Sequence, residues 1–360
     1  GLYCIIQASS PPFFVKGFTM TTIIDVAKQA NVSPATVSNA FNKPNRVNAQ
    51  TRERVLAIAT EMGFQPNLHA QGLRSQRTGI VGIIVSDIRL YYAATIARSI
   101  QERLHQSHKT GLISSTDGRN KDVRTVIEAL RQQGVQAFIL CPAPTKYDNE
   151  TLNFLQDLIQ NGVQMSFITN ELASFSADVA LWQAQEGSKM LTRHLIELGH
   201  RKIAFVRLPL TAKMAGVKRW LGYQEGMIEA GLPLRPDYIV DGHLGFETGV
   251  MAWDKLRQLS DPPTAVMAND DLIAAGVINR CYHLGMHVPK ELSVTGFGNY
   301  PIAQHISPAL TTIGVPLEQL GTQAAELLLE RLEDNSLPPR KPLLDYTLII
   351  RESTYKNSSS

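Results

Sequence analysis

Cysteine is scarce in this chain, and the few cysteines are far apart. Among 360 residues there are three, at Cys4, Cys141 and Cys281. No two of them have the spacing of metal ligands, so the sequence predicts neither a disulfide framework nor a zinc site. A reducing cytoplasm is the compartment that suits such a chain.

Long apolar runs are missing as well. None reaches the ~18 residues that a membrane-spanning helix needs, so we expect no membrane segment. Charged residues make up 19% of the chain and hydrophobic residues 44%. These are ordinary values for globular proteins and exclude an extended disordered or collagen-like chain. The length is enough for two or three domains of roughly 150 residues each.

The motifs of enzymes built on α/β folds are also absent. No G-x-G-x-x-G follows the first predicted strand, no G-K-S/T occurs, and Cys141 has no evident histidine partner. We therefore expect a protein that is not an enzyme, with no catalytic residue, no metal and no cofactor.

Positive charge, in contrast, is concentrated near the N-terminus. The net charge is +3 over the whole chain. Residues 20–78 hold seven basic and three acidic side chains, a net of +4, whereas residues 79–360 hold 27 basic and 29 acidic, a net of −2. A nonspecific nucleoid-type DNA binder would be basic throughout, so the division indicates a small basic domain on a near-neutral remainder.

The basic segment begins with two short helical patterns. Thr22 and Asp25 predict a capping box at the first, and Ser33 with Pro34 predicts the start of the second. The second helix turns Val37, Ala40 and Phe41 inward and an uncharged face outward, formed by Ala35, Thr36, Ser38, Asn39 and Asn42. Such a face can enter a major groove and offer hydroxyls and amides to base edges. A small helical bundle with a solvated polar face is the alternative.

Two further helical patterns complete this part of the chain. One runs from Asn48 to Met62 and stops at Gly63. A shorter one covers residues 67–74 and leads into a polar, basic stretch that ends at Thr78, which predicts a hinge.

These residues resemble the lactose-repressor (LacI/GalR) family of bacterial transcription regulators. The pattern D-V-A-x-x-A-x-V-S-x-x-T-V-S-x-x-x-N occupies residues 25–42. The family pattern continues in register between residues 51 and 74, where the chain has T-R, G-F, P-N, A, L and R. The resemblance implies a helix-turn-helix head, a hinge helix and a two-lobed core like the periplasmic binding proteins. It also implies operator DNA as a partner, through the following residues: Thr22, Ser33, Pro34, Ala35, Thr36, Ser38, Asn39, Asn42, Arg46, Thr51, Asn67, Ala70 and Leu73.

The resemblance gives these positions different roles. It places base contacts at Pro34, Ala35 and Asn39 in the recognition helix. It places phosphate contacts at Ser33, Thr36, Ser38, Asn42 and Thr51. Leu73, with Ala70 beside it, corresponds to the hinge leucine that wedges into the minor groove and bends the operator.

After Thr78, short apolar runs alternate with amphipathic helices, which is typical of parallel α/β units. The pattern restarts near residue 186, so we expect two doubly wound lobes. The chain is expected to cross back near residues 308–312, so that helix Leu317–Glu333 joins the first lobe and a strand near 344–350 joins the second. The expected boundaries are as follows: tail 1–19, DNA-binding domain 20–66, hinge and linker 67–78, first lobe 79–178 and 309–335, second lobe 179–308 and 336–352, tail 353–360.

Ligands of open parallel sheets bind beyond the carboxyl ends of the strands. Residues at those ends, together with the positions that the family resemblance indicates, predict an effector site formed by the following residues: Ser86, Asp87, Tyr91, Tyr92, Thr169, Arg219, Asn269 and Asn299. Arg219 corresponds to the arginine with which the family clamps its ligand. Hydroxyls, amides, a guanidinium and aromatic rings suit a polyhydroxy ligand, so the expected effector is a sugar or sugar derivative. A nucleobase is the alternative.

One departure from the family concerns the end of a predicted strand. Many relatives read G-Y/F-D-D/N there, with the first aspartate facing the ligand, whereas this chain reads Gly296-Phe297-Gly298-Asn299. The missing carboxylate predicts a different ligand or a different pose, with Asn299 as a partial substitute.

The sequence as a whole predicts a cytoplasmic, effector-controlled transcriptional repressor. Since one recognition helix covers only a half-site, we expect a homodimer on a near-palindromic operator, with a tetramer as the larger alternative. A stand-alone sugar-binding protein would share the core but not the basic helical head.

Overall fold

The protein is described by a computed structural model that covers residues 21–42, 44–64, 79–117, 120–141, 148–169, 177–208 and 214–357. It divides into two compact units, Gly1–Gln76 and Arg77–Ser360, and each is described by itself. The expected N-terminal tail at 1–19 and the expected hinge at 67–78 lie outside the described residues. Within the described ranges, no helix combines the length and apolar character needed to cross a membrane.

The first unit is built from three short helices. They are α1 (Ile23–Gln29), α2 (Pro34–Asn42) and α3 (Ala49–Glu61), with a 3-10 turn at Pro44–Arg46. The predicted capping box is confirmed, because Thr22 Oγ1 accepts from the N–H of Asp25 at 3.3 Å and Asp25 Oδ2 accepts from the N–H of Thr22 at 2.9 Å. Asn48 caps α3 by accepting from the N–H of Gln50 at 3.0 Å. Local hydrogen bonds thus fix where these helices begin.

Small side chains form the core of this unit. Its buried members are Val26, Ala27, Ala30, Val37, Ala40, Val55 and Ala59. Phe41 and Phe64 pack against it with their ring centroids 6.0 Å apart. The predicted inward positions Val37 and Ala40 are fully buried, which leaves the opposite face of α2 toward solvent.

The second unit contains two sheets, which define two lobes. The first sheet has the order β11-β5-β4-β3-β1-β2 and is parallel throughout. Its strands are β1 (Ile80–Val85), β2 (Thr110–Ser115), β3 (Ala137–Cys141), β4 (Gln164–Thr169), β5 (Asp178–Trp182) and β11 (Leu343–Leu344). Two clusters of buried side chains cover its two faces, as expected for a parallel sheet. The helices of this lobe are α4 (Tyr91–Gln106), α5 (Asn120–Gln132), α6 (Asn149–Gln160) and α12 (Leu317–Glu333).

The second sheet has the order β12-β10-β9-β8-β6-β7. Its strands are β6 (Ile203–Arg207), β7 (Ile239–Asp241), β8 (Ala265–Ala268), β9 (Ser293–Gly298), β10 (Thr311–Gly314) and β12 (Thr347–Ile349). Among the pairings of these strands, β12 is antiparallel to β10 and the other pairs are parallel. The helices of this lobe are α7 (Ala184–Glu197), α8 (Met214–Glu229), α9 (Phe246–Leu256), α10 (Asp271–His283) and the short α11 (Ile302–His305), and a 3-10 turn at Pro236–Tyr238 precedes β7.

Several of the expected lobe boundaries are wrong. Strand β5, expected at the start of the second lobe, lies in the first sheet, where Phe167 pairs with Val179. Strand β10, expected in the first lobe, pairs with β9, and Thr311 lies opposite Thr295. The expected single strand at 344–350 is two strands in different sheets, β11 and β12. Each segment has the composition of a strand, but its partner is set by backbone pairing with residues distant in sequence.

The buried carboxylate of Asp178 links β5 to the segment that leads into β11. The Asp178 side chain is 0% exposed, and Arg331 Nε lies 2.7 Å from its Oδ2. Arg340 donates its backbone N–H to Oδ1 at 2.9 Å and its Nη2–H to Oδ2 at 3.2 Å. Asp178 therefore joins the start of β5, the last turn of α12 and the approach to β11 in one polar cluster.

The residues after β12, up to 357, pack against the second sheet, and we call this segment the C-terminal strap. Ser353, expected to begin a free tail, is fully buried. Its Oγ donates to the carbonyl of Val294 at 2.6 Å, and the same atom accepts from the N–H of Thr311 at 2.8 Å. His200 holds the strap further on, with Nε2 3.1 Å from the carbonyl of Tyr355. The residues after β12 are thus part of the second lobe.

Helices α9 and α10 cross at two glycines. A Cβ on Gly249 would lie 1.9 Å from the carbonyl oxygen of Ile273, and one on Gly276 would lie 2.0 Å from that of Phe246. Because both neighbouring atoms belong to the backbone, an added methyl group cannot be accommodated by a side-chain rotation.

Replacement of Gly249 by alanine should therefore separate the two helices. We expect Gly249→Ala to lower the free energy of unfolding by about 1–3 kcal/mol, despite the better helix propensity of alanine. Urea denaturation followed by tryptophan fluorescence measures it. The control is Gly216→Ala in α8, where the nearest atom to an added Cβ is 3.4 Å away and no loss is expected. Equal urea midpoints for Gly249→Ala and the unchanged protein would contradict the close packing of α9 against α10 at this glycine.

Candidate functional site

The exposed face of α2 carries the residues predicted to contact bases. Pro34 and Ala35 are exposed, and Asn39 is partly exposed, on the side of the helix away from Val37 and Ala40. This face has no charged side chain. It offers apolar surface and an amide, which suit thymine methyl groups and the hydrogen-bonding edge of adenine.

The start of α2 presents hydroxyl groups. Ser33 Oγ accepts from the N–H of Thr36 at 3.1 Å and lies 2.9 Å from Thr36 Oγ1. A helix N-terminus with such groups is a favourable place for a phosphate. Thr22, also predicted to contact DNA, donates its hydroxyl hydrogen to Asp25 Oδ2 at 2.6 Å and so takes part in the capping box.

The other predicted DNA contacts are only partly described. Arg46 is exposed, and Ser38 and Thr51 are partly exposed. The side chain of Asn42 and the hinge residues Asn67, Ala70 and Leu73 lie outside the described residues.

In the second unit, Arg219 is the centre of the candidate effector site. It lies on α8, is buried, and its guanidinium carbon stands 4.1 Å from the ring centroid of Phe297 and 5.6 Å from that of Trp182. Its Nη1 donates to the carbonyl of Asn269 at 2.5 Å, whereas its Nε has no hydrogen-bond partner among the described residues. Burial lowers the pKa of this arginine. The site thus contains a desolvated cation with unused donor capacity.

Asn269 follows β8 and lies next to this arginine. It is 1% exposed, and neither Oδ1 nor Nδ2 has a partner among the described residues. A buried carboxamide with no hydrogen bond costs free energy. A bound ligand that used both atoms would recover that cost.

The two carboxylates after Asn269 have structural partners. Asp270 accepts from the N–H of Ile273 at 2.9 Å and caps α10. Asp271 accepts from the N–H of Tyr300 and from Thr312 Oγ1, both at 2.6 Å. Burial raises the pKa of both groups, that of Asp271 to about 6.

The first lobe contributes aromatic and hydroxyl groups. Tyr92 is partly buried, desolvation of its phenol raises the pKa to about 12, and the phenol lies 3.2 Å from Ser86 Oγ. Asp87 is held by Arg89, whose Nη2 is 2.8 Å from its Oδ2. Tyr91 is more exposed and reaches the second lobe, where its ring centroid lies 5.0 Å from that of Tyr300.

The structure therefore brings most of the predicted site residues to the meeting of the two lobes, but not all of them. Asn299 is engaged elsewhere, because its Oδ1 accepts from Arg351 Nη2 at 2.6 Å. Thr169 ends β4, and its side chain lies outside the described residues. No three histidine, cysteine or acidic residues within the described ranges come together as a metal site.

Three aromatic residues of the site were not predicted from the sequence. Trp182 ends β5 and faces Phe297 of β9 across the lobes, with ring centroids 6.0 Å apart. Tyr300, two residues after β9, is buried as well. Trp182 is the last residue of β5 and Phe297 the last but one of β9, so all three lie at or just beyond the carboxyl end of a strand, which is the signal that could have indicated them.

Two family models match the chain. The model described as bacterial regulatory proteins, lacI family, matches residues 22–67. The model described as a periplasmic binding protein-like domain matches residues 192–354. The first covers the helices of the first unit, and the second covers most of the second lobe.

Known proteins are similar over nearly the full chain. The HTH-type transcriptional repressor PurR of Vibrio vulnificus is 30% identical over 94% of this chain and 99% of its own length. The ribose operon repressor of Haemophilus influenzae is 28% identical over 93% and 99%. A lac repressor dimer, solved with operator and the anti-inducer ONPF, shares the fold with a TM-score of 0.83 at 24% identity, over 93% of this chain and 99% of that one. The chain therefore belongs to the lacI family of bacterial transcriptional regulators.

Proposed function

We propose that the protein is a dimeric transcriptional repressor whose affinity for operator DNA is controlled by a small molecule bound between the two lobes of the second unit. The observation that carries the proposal is the buried pair Arg219 and Asn269. Arg219 Nε and both amide atoms of Asn269 have no partner among the described residues. Polar groups buried at such cost are expected where a ligand completes them.

The exposed face of α2 supports the DNA-binding half of the proposal. Pro34, Ala35 and Asn39 would read bases, while the hydroxyls at the start of the helix and Arg46 would hold phosphates. One such helix reads only a half-site, so two copies on a two-fold symmetric operator make the functional unit. The lac repressor that shares this fold was solved as a dimer on its operator.

The effector that we favour is a sugar or sugar derivative. The aromatic rings of Trp182 and Tyr91 suit the C–H surfaces of a sugar ring, and the guanidinium of Arg219 suits its oxygens. A nucleobase is the second candidate. The free carboxamide of Asn269 offers a donor and an acceptor side by side, which matches the edge of a base.

The mechanism is a population shift. The ligand would stabilise one arrangement of the two lobes and so change the share of dimers that are competent for operator binding. No catalysed reaction or cofactor is part of this proposal, and the cytoplasm is its expected location.

Selection from random DNA tests the first half of the proposal. Full-length protein should enrich a near-palindromic sequence from a random duplex library. A thermal-shift screen with sugars, sugar phosphates, sugar acids and nucleobases then tests the second half, and each ligand that stabilises the protein is added to an operator-binding titration. If no sequence were enriched, the DNA-binding half would be contradicted. If no stabilising ligand either raised or lowered the affinity for the operator, the effector half would be contradicted.

We expect Leu73→Ala to weaken operator binding about tenfold, because the hinge would lose the apolar wedge that holds the bent minor groove. Effector binding should not change. Fluorescence anisotropy with the selected operator measures the first quantity, and thermal shift measures the second. Leu56→Ala on α3 is a control for a general loss of apolar side chain. Unchanged operator affinity in Leu73→Ala would rule out the wedge.

A further inference from the structure

Gly298, the last residue of β9, has a backbone conformation that only glycine adopts readily. Its φ is +131°, and a side chain there would be strained. A Cβ at this position would also lie 2.5 Å from Cε1 and 2.9 Å from Cδ1 of Tyr300. The absence of a side chain at residue 298 is therefore what gives the Tyr300 ring its place.

The Tyr300 ring occupies a position that faces the site from the second lobe. It is 7% exposed and packs against Tyr91 of the first lobe. Its backbone is fixed by the hydrogen bond from its N–H to Asp271 Oδ2. Asp271 follows Asn269 by two residues, and the carbonyl of Asn269 accepts a hydrogen bond from the Arg219 guanidinium. Tyr300 and Arg219 are thus bound to the same short segment after β8.

The residues around Arg219 offer several hydrogen-bond donors. Arg219 Nε–H and the amide hydrogens of Asn269 are unused donors among the described residues, and the phenol of Tyr300 adds an O–H. Of the nearby carboxylates, Asp270 caps a helix through Oδ1, and Asp271 accepts one hydrogen bond at each oxygen. The single buried acceptor without a partner in the described cluster is Asn269 Oδ1.

The cation has no direct counter-ion. Among the described residues, the Arg219 guanidinium forms no ion pair, and its one hydrogen bond goes to a neutral carbonyl. The buried carboxylates of Asp270 and Asp271 act on it only from a greater distance. A buried guanidinium is most favourable when a charged acceptor completes it.

We propose that Tyr300 contacts the effector, and that the effector carries an oxyanion, a carboxylate or a phosphate ester, which accepts hydrogen bonds from Arg219 and Tyr300. The inference rests on the proposed function, because it concerns the same ligand site, and it names the chemical class of the ligand. Gly298 is a specificity-determining residue in this scheme because it makes room for the phenol.

Charge explains why an oxyanion fits better than a neutral sugar. The hydroxyls of a neutral sugar can donate to the phenol oxygens of the site and to Asn269 Oδ1, but none of them brings a charge to a guanidinium that has no direct counter-ion. An oxyanion accepts several hydrogen bonds and has no hydrogen to place.

Calorimetric titration of the full-length protein tests the proposal. The probes are the aldonates and the 6-phosphates of glucose, galactose and mannose, each compared with its neutral parent sugar, and adenine as the nucleobase. We expect at least one aldonate or one hexose 6-phosphate to bind at least tenfold more tightly than its parent. The two groups of probes distinguish a carboxylate from a phosphate ester.

Three variants examine the assigned residues with the best-binding probe. Tyr300→Phe removes only the hydroxyl group and should weaken binding about tenfold to a hundredfold. Gly298→Asp displaces the ring and brings a negative charge toward the ligand, so binding should be lost. Tyr282→Phe, at a tyrosine that is 77% exposed, is the matched control and should leave affinity unchanged. Circular dichroism and the melting temperature show whether each variant folds.

Several outcomes would overturn the inference. They are tighter binding of a neutral sugar than of its acid and phosphate, binding of adenine alone, binding of none of the oxyanion probes at millimolar concentration, and equal affinity of Tyr300→Phe and the unchanged protein. The operator selection described above is measured without any ligand. A protein that selects an operator but ignores oxyanions refutes this inference and leaves the DNA-binding half of the proposed function intact.

Discussion

Asp178→Ala is expected to lower the free energy of unfolding of the second unit by about 3–5 kcal/mol. The substitution leaves the guanidinium groups of Arg331 and Arg340 without their shared carboxylate, and their side chains are 12% and 27% exposed. It also removes the acceptor of the Arg340 backbone N–H. Since domains are stable by only about 5–15 kcal/mol, this is a large share. Urea denaturation followed by circular dichroism measures the loss.

The control for this prediction is an exposed ion pair. Glu102 pairs with Arg98 within α4, where both side chains are largely exposed, and Glu102→Ala should cost less than about 1 kcal/mol. A loss in Asp178→Ala no greater than in Glu102→Ala would show that the buried cluster does not hold β11 in place.

The same carboxylate makes stability depend on pH. Burial by itself would raise the pKa of Asp178, but hydrogen bonds from Arg331 and Arg340 outweigh it, and the pKa is lowered. A group with a lowered folded-state pKa stabilises the fold above its unfolded pKa, about 3.9 for aspartate, and this contribution is lost as the pH falls through the folded value. Asp178→Asn should therefore remove part of the loss of stability that the unchanged protein shows below about pH 4.

Arg219→Met is expected to weaken effector binding about a hundredfold or more, while operator binding measured without effector is unchanged. Methionine keeps much of the apolar volume against Phe297 and Trp182 but removes every donor of the guanidinium. Hydrogen bonds to charged groups contribute about 1.5–3 kcal/mol each, and every 1.4 kcal/mol is about tenfold in affinity. In the cell, such a variant would no longer respond to its signal. Calorimetry with the ligand found by thermal shift measures the binding.

Arg193→Met provides the comparison for this variant. Arg193 lies on α7 of the same lobe, is 55% exposed and pairs with Glu229 at the surface. It should bind the effector as the unchanged protein does. If Arg219→Met kept its affinity, Arg219 would be a packing residue and the effector site would have to lie elsewhere.

Local chemistry explains which parts of the fold could be predicted. The capping box of Thr22 and Asp25 involves neighbours in sequence, and it was confirmed. Helix α12 has the bounds expected from its pattern, Leu317–Glu333. The partners of β5, β10 and β11 were not predicted, because a short apolar run has the same composition in either sheet and its pairing depends on residues far away in the chain.

In the candidate site, too, some residues could be predicted from the sequence and others could not. Asn269 was indicated by its position after a strand, Tyr92 by its position at the start of the next helix, and Arg219 by its position near a helix start. The family resemblance supported all three. The departure at Gly298 was visible in the sequence, but its consequence was not. The expected substitute, Asn299, bonds Arg351, whereas Tyr300 takes the space. Asn299 and Tyr300 are adjacent in sequence but contact different surroundings, and the backbone before Tyr300 has a positive φ at two successive residues, Gly298 and Asn299.

After residue 310 the chain contributes strands to both sheets, and this affects the order in which the protein can fold during its synthesis. The first sheet is completed by β11, at Leu343–Leu344, and the second by β10 and β12, at Thr311–Gly314 and Thr347–Ile349. Neither sheet can be finished before almost the whole chain has left the ribosome. The core of the first unit needs nothing beyond Ala59 and its immediate neighbours, and domains fold in the order in which they emerge. During translation, the part that resembles a DNA-binding head is therefore complete long before the part that would sense the ligand exists.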